Sequence, residues 1–340
     1  MKRIAVIGTG GTISNAGTGS LDYLSYLDSG QVLSTEDVLA LNPQIREVAE
    51  ISPLPFGQLR SKRLSTADWF RLAAMAQQTL DEDDVDGLVI THGTGLLEET
   101  AFFLHLVLDT EKPVVIVGSQ RPPRTLSSDA QLNFVDAVRA AAAEQTSGLG
   151  VVVVMDQTVH SARDVTKRSN HRLDALTSPV AGPVGGVTVD GSVRISRVPV
   201  QLHTSTSAFA RCWEQTCRDH QTDASLPRVD IVYGYGQADG VAVRAFVEAG
   251  ATGLIAIGFP PGTNTPGIDE ALDEAVASGV VVVQATRAFD DPRVLSRTSL
   301  LDRKLVPNSD LSPQHARILL QLCLAHGFGP AAIEQAFATY

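Results

Sequence analysis

A chain of 340 residues exceeds the about 250–300 residues at which a single core stops growing, so two domains with sizeable cores are expected. Its net charge of −11 comes without acidic blocks, which excludes nucleic acid and anionic membrane surfaces as partners and leaves a small polar molecule. The three cysteines, Cys212, Cys217 and Cys323, are too few for a disulfide framework, lack a metal-binding spacing and read as packing residues.

In chain order, "RIAVIG" is a first strand. The apolar stretch before Gly8 is too short for the roughly 7–15-residue core of a signal peptide, so a cytoplasmic protein is expected. The strand runs into "GTGGTIS", and "NAGTGSLDYLSYLDSG" follows as a loop. "VDGLVIT", "KPVVIVG", "GVVVVM", "VDIVYGY", "GLIAIG" and "VVVVQAT" are further strands of continuous apolar character, as in a parallel sheet buried on both faces. Between them, "STADWFRLAAMAQQTLDED", "EETAFFLHLVLD" and "AQLNFVDAVRAAAAEQ" carry helical periodicity. The fold class is therefore α/β: a larger N-terminal, mostly parallel sheet with helices on both faces, and a smaller C-terminal α/β domain. Asp190-Gly191 marks a hairpin turn. The sequence places the N-terminal domain at 1–195, an inter-domain connection at 196–227 and the C-terminal domain at 228–340. Ser312 and Pro313 read as the N-cap and first position of a late packing helix, and no run approaches the about 20 apolar residues of a membrane span.

Chemistry concentrates at strand ends. Gly8, Gly10 and Gly11 lack the G-x-G-x-x-G spacing of a dinucleotide fingerprint, and no lysine follows them as in a P-loop. The eight histidines are scattered without metal-ligand spacing, and no GxSxG elbow occurs. Instead Thr12 follows one glycine-rich turn and Thr94 another, in "THGTGLLEET", where no carboxylate occurs before Glu98. A hydroxyl is a weak nucleophile unless a base takes its proton. Thr12 alone reads either as a nucleophile or as a turn residue. Lys167, after the buried strand at 151–155, reads either as a partly desolvated activator or as a surface lysine.

Taken in order, "GTGGTIS", "ITHGTGLLEETAFFL", "KPVVIVGSQRP", "ARDVTKRSN" and "RILLQLCLAHG" resemble the bacterial L-asparaginase/glutaminase family over nearly the whole chain. The resemblance implies a metal- and cofactor-free amidohydrolase, with Thr12 as nucleophile and Thr94 with Lys167 as the second part of the apparatus. It implies a lid tyrosine at Tyr26, or alternatively Tyr23, and an oxyanion site at the Thr94 backbone. Gly11, Gly93 and Gly95 fall in the substrate-binding motifs. So does the loop bearing Ser61, where Lys62 and Arg63 depart from the family's Gln or Glu and Asp. Gly95 stands where the family has an aspartate that holds the substrate's ammonium. The glutamate that the family lends across a subunit contact has no match between Glu274 and Glu334, with Asp290, Asp291 or Asp302 as spatial substitutes. The resemblance also implies a homotetramer or dimer. The leading expectation is an amidohydrolase acting through a threonyl ester on a small carboxylate-bearing amide or imide that is not a free α-amino acid. The alternatives are an ordinary L-asparaginase and, in another class, a non-catalytic small-ligand-binding protein.

Overall fold

The computed structural model describes residues 1–29, 31–59, 64–214, 225–294 and 297–340. It separates into two compact units, Met1–Ala224 and Ser225–Tyr340. Segment 196–214 belongs with the first: Phe209 is fully buried there, and Arg211 reaches Asp81 and Asp109.

In the first unit β1 (Arg3–Gly8), β2 (Glu50–Pro55), β3 (Gly87–Thr91), β4 (Val114–Val117) and β5 (Val151–Met155) run parallel. β6 (Thr158–Ser161), β7 (Gly185–Val187) and β8 (Val193–Ile195) continue the sheet antiparallel, in the order β8-β7-β6-β5-β4-β3-β1-β2. The Val/Ile runs form the central strands because both faces are covered. Val89, Val115 and Val152 share one core with helix α3 (Ala130–Ala142). The alternating Leu88, Ile116 and Val153 point the other way and are equally buried, as α1 (Thr66–Leu80) and α2 (Leu97–Val107) pack against the sheet. Trp69 of α1 stacks on Phe103 of α2 at 5.0 Å between ring centroids, and its Nε1 donates to Thr100 Oγ1 at 3.0 Å. The hairpin at Asp190-Gly191 joins β7 to β8, with Gly191 at φ +82°.

Three local features depart from the sequence reading. "EISPLP" forms edge strand β2 despite its prolines: the Glu50 N–H bonds Lys2 O, so the alternating Pro53 and Pro55 face away from β1, where no donor is needed. β5 and β6 form a hairpin over a two-residue turn, Asp156-Gln157, with φ +50° and +58° and no glycine to announce it. The expected loop after the first turn contains the helical turn Tyr26–Ser29 and a two-stranded ribbon of Asn15–Ala16 with Gln31–Val32.

The second unit is a parallel sheet of β9 (Val229–Tyr233), β10 (Gly253–Gly258), β11 (Val281–Thr286) and β12 (Val306–Pro307), in that spatial order. Helices α4 (Val241–Glu248), α5 (Pro266–Ala277), α6 (Pro313–Ala325) and α7 (Pro330–Thr339), with a short helix at Arg297–Asp302, accompany it. Ser312 caps α6 by accepting from His315 N at 3.2 Å, with Pro313 at the first helical position. Cys323 is buried in α6, which pushes its thiol up to about 12, and Cys212 behaves alike; Cys217 lies outside the described residues. Among the described residues no helix is long and apolar enough to cross a membrane.

Candidate active site

Neighbouring strands β1 and β3 end side by side, Gly8 opposite Thr91. The turns that follow them are therefore forced together, at the carboxyl edge where doubly wound sheets bind ligands. Thr9 fastens the two ends, its N–H and hydroxyl both donating to Thr91 O at 3.1 and 2.6 Å. Gly11 then turns at φ +93°, and a Cβ placed there would lie 2.4 Å from Gly93 N and 2.7 Å from the His92 carbonyl carbon. Only a residue without a side chain lets the Thr12 turn abut the Thr94 turn.

Thr12 opens a 3-10 turn, Thr12–Ser14, and is buried. Its Oγ1 lies 2.8 Å from the hydroxyl of Tyr26, which is itself only 7% exposed. Tyr23, the alternative lid tyrosine, faces elsewhere: its hydroxyl donates to Leu126 O at 3.0 Å, and Arg121 lies over its ring. Ser20 O accepts from Leu126 N at 2.8 Å, so the segment carrying both tyrosines is tied to the loop after β4.

Thr94 is buried and meets Lys167, whose Nζ donates to Thr94 Oγ1 at 2.7 Å. Lys167 sits on the two-residue strand Thr166–Lys167, paired with Leu176–Thr177. Burial holds its ammonium below the ordinary lysine range, and the Glu98 carboxylate opposes that shift. Glu98, buried in the first turn of α2, accepts the Lys167 backbone N–H at 2.6 Å.

Further residues, unassigned by sequence reasoning, hold this geometry. Gly118, just after β4, has the Thr94 methyl and His92 O each 2.8 Å from where its Cβ would stand, so it shapes the pocket of the Thr94 side chain. Asp129, before α3, accepts from the N–H groups of Gln120 and Arg121 at 2.9 and 2.8 Å and from Asn133 Nδ2 at 2.9 Å. His92 is buried, donates from Nδ1 to Gly93 O at 2.8 Å, and is held below the ordinary histidine range by desolvation. For Glu98 the signal was a carboxylate four residues after Thr94 at a helix start; Gly118 lies in the motif "KPVVIVGSQRP", but nothing in the spacing tied it or Asp129 to Thr94.

Gly95 is exposed, next to Thr94. Ser61, Lys62 and Arg63 lie outside the described residues. Asp290, Asp291 and Asp302 belong to the second unit. A cavity of about 340 Å³ beside the first turn is lined by residues including Gly8, Gly10, Ser14, Thr35 and Gln58; its lining among the described residues includes neither Thr12 nor Thr94. Among the described residues no three metal-ligating side chains come together. What the site does hold is two hydroxyls, each with its own hydrogen-bonded partner, on turns in contact: an arrangement suited to nucleophilic attack and proton transfer.

The family model described as asparaginase, N-terminal, matches residues 3–201, and that of the glutaminase/asparaginase C-terminal domain matches 228–337. The chain is 34% identical over 342 residues to the glutaminase-asparaginase of Pseudomonas fluorescens biotype A, spanning all of this chain and 91% of that protein. It is 33% identical over 343 residues to a Haemophilus influenzae protein named probable L-asparaginase periplasmic, across all of this chain and 93% of the other. The crystal structure of a probable cytoplasmic L-asparaginase from Campylobacter jejuni superposes with a TM-score of 0.88 at 32% identity, each chain covered in full. With both family models matched in order over nearly its full length, the chain belongs to the asparaginase family, amidohydrolases of carbon–nitrogen bonds other than peptide bonds.

Proposed function

We propose that this protein hydrolyses the amide of a small carboxylate-bearing molecule through an ester on Thr12. The observation that carries the reading is the pair of contacts Thr12–Tyr26 at 2.8 Å and Thr94–Lys167 at 2.7 Å. Thr12 Oγ1 adds to the amide carbon as its proton passes to the Tyr26 hydroxyl, which releases its own to solvent, and the same relay in reverse reprotonates Thr12 Oγ1 when the ester is cleaved. The tetrahedral adduct, its oxyanion held by the Thr94 backbone N–H, collapses with cleavage of the C–N bond. Ammonia leaves after taking a proton from the Thr94–Lys167 pair. Water then adds to the ester with that pair as base, and loss of the carboxylate product returns the Thr12 hydroxyl. A non-catalytic binding protein would need neither nucleophile nor base, so the Thr12–Tyr26 and Thr94–Lys167 contacts support the enzyme reading.

For the substrate we infer an amide or imide without a free α-ammonium group. Gly95 supports this, because it leaves no carboxylate beside Thr94 to offset the several kcal/mol of desolvating an ammonium. A second reading, ordinary L-asparaginase, is favoured by the names of the relatives. Ammonia release from L-asparagine, L-glutamine and the same amides lacking the amino group separates the two. Faster turnover of the amino-free amides supports the first; efficient asparagine turnover establishes the second. Thr12→Ala should lower either activity by about 10³-fold or more; activity at the wild-type level would remove Thr12 from the nucleophile's role.

We further propose a homo-oligomer, which light scattering tests, and a cytoplasmic location, as the name of the Campylobacter neighbour states for that protein. The Haemophilus relative is named periplasmic, and cell fractionation decides between the two.

A further inference from the structure

We propose that Glu98 is a positioning residue for the Thr94–Lys167 pair, anchoring the lysine backbone from the helix that follows the threonine's turn and supplying the anion that faces the ammonium. The inference rests on the proposed role of Lys167 as a proton carrier.

The geometry is a closed ring. Thr94 lies in the turn that leads into α2, and Glu98, four residues on, stands in the first turn of that helix. Lys167 comes from 69 residues beyond Glu98, yet it is bound at both ends: its backbone N–H donates to Glu98 Oε2 at 2.6 Å, and its Nζ donates to Thr94 Oγ1 at 2.7 Å. The strand bearing Lys167 is only two residues long and so depends on outside anchors. A carboxylate in the first turn of a helix is also favoured there by the unpaired N–H groups.

Charge points the same way. Glu98 is buried, and it is the carboxylate whose field acts on the Lys167 ammonium. The other charged groups nearby in sequence are occupied: Asp164 binds Arg163 and Arg197, while Arg168 pairs with Asp174. With Gly95 beside Thr94, Glu98 is thus the anion that balances this lysine among the described residues. It opposes the desolvation that favours a neutral amine, and so sets the pH at which Lys167 begins to accept a proton.

The test uses the full-length protein and the panel amide that turns over fastest, with kcat and KM followed from pH 5 to pH 10. Glu98→Gln keeps an oxygen to accept the backbone N–H but removes the charge. The acid limb of kcat should move to lower pH by about 0.5–1 unit, with KM within about twofold and kcat at the optimum about two- to fivefold lower. Glu98→Ala removes the anchor as well, and kcat should fall about 20-fold or more at nearly unchanged KM. An acid limb left in place by Glu98→Gln, or wild-type kcat in Glu98→Ala, overturns the proposal. Equal losses of thermal stability and kcat in both variants, with no change of pH profile, reduce Glu98 to a structural residue and also overturn it. Lys167→Met separates the two levels: if it retains turnover, the proton-carrier reading of Lys167 fails; if it is inactive while the Glu98 variants behave as wild type, only this inference fails.

Discussion

At Gly11 the contact that builds the site is one between backbones. An alanine there faces an unfavourable φ of +93° and a Cβ 2.4 Å from Gly93 N, so neither rotation nor a side-chain shift relieves it. Gly11→Ala should destabilise by more than about 2 kcal/mol and reduce turnover by about 100-fold or more, as the Thr12 and Thr94 turns separate. Gly118→Ala should behave differently. Its backbone is ordinary, and one of its two close neighbours is the Thr94 methyl, so a rotation of Thr94 relieves part of the clash at the expense of its bond to Lys167. The expected result is a melting temperature within a few degrees of wild type and a kcat reduced about tenfold. Equal kcat losses with equal destabilisation in the two variants would contradict this distinction.

Among the elements, α3 is joined to the loop after β4 by one carboxylate. Asp129 takes two backbone N–H groups, from Gln120 and Arg121, that would otherwise be left without a partner close to the Thr94 support at Gly118. Asp129→Ala should cost about 1–3 kcal/mol in urea unfolding, because half-buried donors are left unpaired. Asp129→Asn, which still offers an oxygen, should cost roughly half as much. Equal costs would mean that charge, not hydrogen bonding, dominates at this position. The tie between the segment carrying Tyr23 and Tyr26 and the loop after β4, through Tyr23 and Leu126, is a second link of the same kind.

At the scale of the whole molecule, the acid response should come from the first unit, where His92, His160 and His203 are all buried and held below the ordinary histidine range. His160 is pushed down to about 4 by burial, against the field of Asp164, and its Nδ1 lies 2.9 Å from Ser178 Oγ. The unfolded chain therefore binds protons first as pH falls. The stability held by neutral His160 is complete above about 6.5 and is lost progressively towards pH 4, up to about 3 kcal/mol. His160→Gln should make the unfolding free energy shallower across that window by up to one proton. A parallel offset, with the wild-type slope retained, would show that His160 titrates alike in the folded and unfolded chain and does not carry the acid response.

The sequence by itself determined the elements whose signal is local. Continuous Val/Ile runs gave the parallel strands because both faces of each are buried, helical periodicity gave α1, α2 and α3, and Ser312-Pro313 gave the start of α6. Motif order and the types of residue at strand ends were enough to indicate the family and to single out Thr12, Thr94 and Lys167. Tertiary structure decided what depends on the path of the chain. Whether Tyr23 or Tyr26 meets Thr12 turns on how the intervening segment folds, and the hydrogen bond selects Tyr26. That Pro53 and Pro55 fit a strand depends on its being at an edge. The partnership of Glu98 with Lys167 spans 69 residues. Sequence periodicity reports how a residue relates to its own element, whereas a catalytic contact forms where the ends of separate elements converge, and only the packed sheet fixes that convergence.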